Sequence, residues 1–253
     1  MAPVTARLEW RAGRVVATRR ETPRVSTLTL DVPGWPGHRA GQHVDLRLTA
    51  EDGYQAERSY SIASSPAAAQ LELTVERLED GEVSPYLTDV VREDDLIEIR
   101  GPIGGYFVWE PRSSLPLALI AGGSGVVPLM AILRQRAMHG AEITAPATLL
   151  YSARSADDLI YRTEMDRLAA ADGAIRVAYT LTRSPPAVWT GYRRRIDEAM
   201  LRETLPPPAT RPVVYVCGPT PMVESAASLL VQIGYPADDV RTERFGPTGG
   251  GSS

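Results

Sequence analysis

Over the first half of the chain, apolar positions alternate with polar ones in short runs that Gly and Pro interrupt. Arg14–Thr18, Val25–Asp31, His43–Leu48, Tyr60–Ala63, Leu71–Arg77 and Asp95–Arg100 carry the period of two that turns one face of a strand inward. Pro33-Gly34, Asp52-Gly53 and Asp80-Gly81 supply turns between them. Short strands at this spacing predict an antiparallel barrel, with a short helix over Ser84–Val91.

The pattern then changes. Leu117-Ala118-Leu119-Ile120-Ala121 is continuously apolar, as a strand buried on both faces requires. A Gly-rich turn and the helical stretch Val127–His139 follow, and the alternation repeats. Strands are expected at Ala147–Ser152, Ile175–Leu181, Val213–Cys217 and Val240–Phe245, and helices at Ile160–Ala170, Ile196–Leu201 and Pro221–Ile233. This order predicts a doubly wound parallel sheet. The expected fold is β followed by α/β: an N-terminal antiparallel six-stranded β-barrel over 1–112, then a parallel-sheet α/β domain over 113–253. Glu110–Pro116 is the predicted link, Pro206-Pro207-Pro208 a rigid loop, and Gly249–Ser253 a disordered tail.

Composition narrows the functions. The 253 residues are 43% hydrophobic and 23% charged, ordinary for a globular protein, and the net charge of −4 gives nucleic acid no reason to bind. All 27 basic residues are arginine, which excludes a Schiff-base lysine and a lysine-bearing P-loop and suits bidentate grip on phosphates. The single cysteine, Cys217, excludes an internal disulfide and a Cys-ligated iron–sulfur cluster. His38, His43 and His139 are too scattered to suggest a metal. With no apolar leader core and no membrane-length apolar run, the sequence reads as a cytoplasmic, soluble monomer.

Four motifs carry chemistry. Arg58-Ser59-Tyr60-Ser61 offers a cation for a pyrophosphate, an aromatic wall for a planar ring, and a small polar group. Gly81-Glu82-Val83-Ser84 offers backbone amides at a helix start. Gly122-Gly123-Ser124-Gly125-Val126-Val127-Pro128 follows a buried strand and opens a helix, where amides and the helix dipole favour phosphate, although the spacing is not Gly-x-Gly-x-x-Gly. Cys217-Gly218-Pro219-Thr220-Pro221-Met222 follows a second buried strand. Gly101-Pro102-Ile103-Gly104-Gly105-Tyr106 and Gly41-Gln42 read as barrel closure, and His43 as a strand residue rather than a base.

In this order the motifs resemble the ferredoxin–NADP reductase family of two-domain flavoproteins, from about Val15 to Phe245. The resemblance implies FAD on the barrel and NADPH or NADH on the sheet. The hydride passes to FAD and electrons leave singly to a separate ferredoxin, flavodoxin, haem protein or small molecule. It implies that Arg58 and the Gly81, Val83 and Ser84 segment meet the FAD pyrophosphate. Ser59 and Tyr60 line the flavin, Ser61 lies near flavin N5, and Phe245 covers the flavin until nicotinamide displaces it. Gly123, Ser124, Gly125, Pro128, Gly218, Pro219 and Met222 meet the nicotinamide nucleotide. Cys217 and Glu243 sit beside the reacting ring carbon, by position rather than covalent attack. Arg154, Arg162 and Arg183 follow sheet strands where a ribose 2′-phosphate would lie, which leans towards NADPH. A diffusible-acceptor flavin or ferric-chelate reductase, and an electron-transfer subunit of a larger complex, remain as alternatives.

Overall fold

The structure is a computed structural model that describes residues 8–111 and 114–245. The expected tail at Gly249–Ser253 lies outside them. Six antiparallel strands come first: β1 (Trp10–Thr22), β2 (Val25–Asp31), β3 (His43–Thr49), β4 (Gln55–Ser61), β5 (Leu71–Glu76) and β6 (Leu96–Ile103), in the order β4-β3-β6-β1-β2-β5. The sheet closes where Ile62 bridges Leu73 and Ala63 N–H donates to Glu72 O at 2.8 Å, beyond the end of β4. Val15, Leu28, Leu30, Val44, Leu46, Leu73 and Ile99 fill the interior.

Two expectations shift and a third is refined. β1 runs far past Thr18, through the charged Arg19-Arg20, because β2 and β6 pair with it over its length. β4 starts at Gln55 rather than Tyr60: its polar residues hold strand geometry through pairing with β3, from Thr49↔Gln55 to His43↔Ser61. The expected helix at Ser84–Val91 is present over residues 84–90, with Tyr86–Val90 wound wider than an α-helix and closed by Val91 N–H on Tyr86 O.

The second sheet is wholly parallel: β7 (Leu117–Gly122), β8 (Ala147–Ser155), β9 (Ile175–Ser184), β10 (Val213–Pro219) and β11 (Val240–Phe245), ordered β11-β10-β7-β8-β9. β7 is buried throughout because alternate residues enter opposite cores. Leu119 and Ala121 face the core shared with α1 (Val126–His139) and α2 (Arg162–Ala171). Ala118 and Ile120 face that of α3 (Glu198–Thr204) and α4 (Thr220–Gln232). Strand order reverses between β7 and β10, the place where doubly wound sheets open a crevice at their carboxyl ends. Phe107 and Trp109, just after β6, bury into the α1-side core, which joins the two halves. No helix among the described residues is long and apolar enough to cross a membrane.

Candidate functional site

The crevice is built from glycines that let two backbones meet. Gly123–Gly125 form a single turn between β7 and α1. A Cβ on Gly125 would stand 2.2 Å from Cys217 O, and one on Gly122 would stand 2.4 Å from Met222 Sδ. A Cβ on Gly218, at φ +154, would meet Met222 Cε at 2.9 Å and Gly122 O at 3.0 Å. The two glycine-bearing turns therefore interlock through Met222, and neither tolerates a side chain there. Gly123 differs: its φ is +55 and nothing lies within 4 Å of its Cβ position, so its outer face is open. This turn leads directly into α1, with Val126 N–H bonded back to Gly123 O and Pro128 buried in the first helical turn, and a glycine turn at a helix N-terminus is an anion-binding arrangement. Besides β7, β8, β10 and β11, this turn touches β5 of the barrel.

β10 and β11 run in register, so Cys217 lies opposite Glu243, Gly218 opposite Arg244 and Pro219 opposite Phe245. Burial pushes the Cys217 thiol well above its ordinary range, and the neighbouring Glu243 carboxylate adds to this. Burial raises Glu243 from 4.5 to about 7. One Glu243 carboxyl oxygen, Oε2, is buried without a hydrogen-bond partner. Phe245 packs half-buried against the α1-side core.

On the barrel, Ser61 Oγ is likewise buried and unpartnered at the end of β4. Tyr60 packs partly buried on the barrel core, and burial drives its hydroxyl to about 12, so it stays neutral. Arg58 is half-exposed and reaches Glu82 Oε2 at 3.3 Å, across to the Gly81–Ser84 turn. Ser59 turns elsewhere: its hydroxyl donates to Asp45 at 2.7 Å. Val83 and Ser84 are buried, and Ser84 Oγ accepts from Leu78 N–H at 3.0 Å rather than capping a helix.

The sequence reading undervalued Gly41-Gln42. A Cβ on Gly41 would sit 1.9 Å from Phe107 O. Gln42 accepts from Arg39 N–H at 2.7 Å, donates to Gly104 O at 2.7 Å, and its carbonyl receives Ile62 N–H at 2.9 Å. The pair thus ties the Gly101–Tyr106 loop to the strand that carries Ser61. His43 is a β3 residue, as read.

Arg154 and Arg183 stand exposed near the carboxyl ends of β8 and β9, with no ion pair among the described residues. The β8–β9 register slips between Ala153↔Leu181 and Ser155↔Ser184, which sets Thr182 and Arg183 opposite Arg154. Arg162 does not join them as a free cation: its guanidinium lies 5.3 Å above the Trp189 ring and 3.8 Å from Asp166.

Sequence comparison matches residues 14–108 to the oxidoreductase FAD-binding domain and residues 119–228 to the oxidoreductase NAD-binding domain. NADH-cytochrome b5 reductase 1 of Emericella nidulans is 34% identical over 211 residues, 81% of this chain and 66% of that protein. The chain spans about two thirds of the length of the curated relatives it matches, up to 70%. The flavohaem-like FAD/NAD-binding domain of nitric oxide dioxygenase from Vibrio cholerae superimposes with a TM-score of 0.83 at 24% identity, covering 94% of this chain and 99% of that one. A ferredoxin NADP+ reductase from Neisseria gonorrhoeae, solved with FAD and NADP, gives 0.78 at 20% identity, covering 93% and 98%. The interlocked glycine turns, the orphaned polar atoms and these matches agree: the chain belongs to the ferredoxin reductase-like family of FAD- and NAD-binding oxidoreductases.

Proposed function

We propose that the protein is an FAD-dependent NAD(P)H oxidoreductase that delivers electrons to a separate haem protein. The observation that carries this is that, of the three buried side-chain oxygens without partners among the described residues, Ser61 Oγ lies in the flavin motif on the barrel and Glu243 Oε2 lies opposite Cys217 on the sheet, while the third, Gln135 Oε1, belongs to α1. A buried unpaired polar atom is costly unless a ligand completes it. The chemistry of Ser61 and Glu243 fits a flavin edge and a nicotinamide, and the open face of Gly123 fits a dinucleotide phosphate.

When bound, FAD supplies the chemistry, taking a hydride from the nicotinamide and yielding electrons singly. The chain's residues bind and align. Arg58 exchanges Glu82 for the FAD pyrophosphate, with the backbone of Gly81, Val83 and Ser84 beside it. Tyr60 walls the flavin ring, Ser59 adds only backbone, and Ser61 donates its hydroxyl hydrogen bond at the N5 edge. The amides of Gly123, Ser124 and Gly125, at the start of the helix holding Pro128, receive the nicotinamide dinucleotide's phosphates. Gly218, Pro219 and Met222 form the shelf beneath the nicotinamide. Cys217 stays a neutral thiol and acts by shape. Glu243, with its carboxyl partly protonated near neutrality, can donate or accept beside the nicotinamide. Phe245 shields the flavin until the nicotinamide arrives.

Arg154 and Arg183 are exposed, without ion pairs among the described residues, and face each other across the slipped β8–β9 register, which favours NADPH's 2′-phosphate; Arg162 is a poorer ligand because Trp189 and Asp166 hold it. Against this stands the NADH in the relatives' names. The haem acceptor rests on those same names, since they are cytochrome b5 reductases. The test is steady-state turnover of the isolated chain, supplied with FAD, using ferricyanide, cytochrome b5 and a ferredoxin in parallel. Ferricyanide reduction with saturable transfer to the cytochrome supports the reading. No ferricyanide reduction with either nucleotide defeats the enzyme assignment, and preference for ferredoxin defeats the acceptor.

A further inference from the structure

One cluster lies outside the site and joins the two halves of the molecule. Arg134, on the helix α1 that begins at the glycine turn, donates to Ala63 O at 2.8 Å, just past Ser61 on the barrel. It also reaches Glu72 of β5 at 2.7 Å and grips both carboxyl oxygens of Glu164 on α2, at 2.9 and 2.7 Å. Its guanidinium lies 5.0 Å from the Tyr161 ring. The attraction is worth more here than at an exposed pair, because Arg134 is largely buried, with its side chain 13% exposed.

Tyr161 completes the bridge. It is buried and holds φ 59 and ψ 17, a left-handed conformation unusual for a bulky residue. Its hydroxyl bonds Thr74 Oγ1 of β5, which bonds Thr27 Oγ1 of β2 at 2.8 Å, and Thr27 donates to Glu21 at 2.7 Å. Such a backbone conformation persists where the surroundings demand it, and it is the observation from which a function can be argued.

We infer that Arg134 and Tyr161 are positioning residues: they lock the nucleotide-binding sheet against the barrel at the separation that brings nicotinamide C4 to flavin N5. α1 carries the phosphate turn at one end, and Arg134 ties the middle of that helix to the segment running on from Ser61. On this side of the molecule the phosphate-turn helix and the segment after Ser61 are therefore referenced to one another through the Arg134 guanidinium, with Tyr161 fixing the angle of the adjoining helix. Alignment of this kind is worth large factors in rate, and a misplacement of about 1 Å costs on the order of a hundredfold. The inference rests on the proposed reductase function.

The test is single-turnover reduction of the FAD-loaded wild type, Arg134→Met, Arg134→Lys, Tyr161→Phe and Thr74→Val by protonated and C4-deuterated nucleotide, with FAD and nucleotide affinities measured separately. Hydrogen exchange at the Ile62–Leu73 barrel closure, where Arg134 holds the adjoining Ala63 O and Glu72, reports without turnover on the barrel segment that the contact anchors. Arg134→Met and Tyr161→Phe are expected to slow the limiting reduction rate about ten- to a hundredfold, to change the deuterium isotope effect, and to speed exchange at the closure. Affinities should stay within about threefold, and Arg134→Lys should recover part of the rate. Thr74→Val removes only the partner hydroxyl and carries the test if Tyr161→Phe does not fold. Folded variants with wild-type limiting rates and isotope effects overturn the inference alone. A wild type that neither nucleotide reduces overturns the reductase reading and this inference with it.

Discussion

Gly125 has no room for a side chain, since its Cβ would lie 2.2 Å from Cys217 O. Gly125→Ala must push the two turns apart, and should lower stability by about 1–3 kcal/mol, as overpacking does, while weakening dinucleotide binding more than FAD binding. Thermal unfolding and the two affinities check this. The glycine was legible as a phosphate-loop residue. Its reason was not, because the clashing atom belongs to a strand distant in sequence. Glu243 makes the same point about ionisation. The family resemblance pointed to a carboxylate at this place, but its shift to about 7 comes from burial, which only the assembled fold creates. Between 4.5 and about 7 the folded chain holds a proton that the unfolded chain releases, so this group makes stability fall as pH rises through that window. Glu243→Gln should flatten that part of the curve in urea unfolding at pH 4 to 8. An unchanged slope would mean that the carboxyl is not perturbed.

At the scale of elements, continuous apolarity and short alternation were the readable signals. β7 announced itself because all its residues are buried. Leu119→Ala should cost about 2–5 kcal/mol through the cavity left in the α1-side core, seen as a lower urea midpoint with the slope unchanged. β4 was misplaced because its early residues are exposed and polar, so only pairing with β3 makes them a strand. The helix at Ser84–Val91 was legible, but its wide winding over Tyr86–Val90 was not: Ser84 Oγ is taken by Leu78 N–H, and Thr88 Oγ1 bonds Ser84 O. The slipped register of β8 against β9, which brings Arg183 opposite Arg154, likewise has no signature in composition. If the pair holds the 2′-phosphate, Arg154→Ala and Arg183→Ala should each lower kcat/KM for NADPH about tenfold or more, the loss of a charge-assisted contact, with little change for NADH. Equal losses with both nucleotides would sink the assignment.

For the whole molecule, the order of motifs along the chain was enough to place a flavin half before a nucleotide half. The matched domains follow that order, 14–108 and 119–228. What joins the halves was not legible. Val108 O receives both Tyr215 Oη, at 2.7 Å, and Arg241 Nη1, at 2.6 Å. Tyr106 Oη donates to Val240 O at 3.2 Å, and Arg134 and Tyr161 hold the opposite contact. Each of these pairs residues far apart in sequence, and only Tyr106 belongs to a motif, one read as barrel closure. The central claim is that this two-sheet frame lets a nicotinamide nucleotide reduce a flavin. Its most direct test is the visible spectrum of the FAD-loaded protein, recorded anaerobically before and after one equivalent of NADPH, and separately of NADH. The account predicts an oxidised flavin spectrum that bleaches on mixing, faster with NADPH. A protein that takes up no FAD, or a bound flavin that neither nucleotide bleaches, would contradict it.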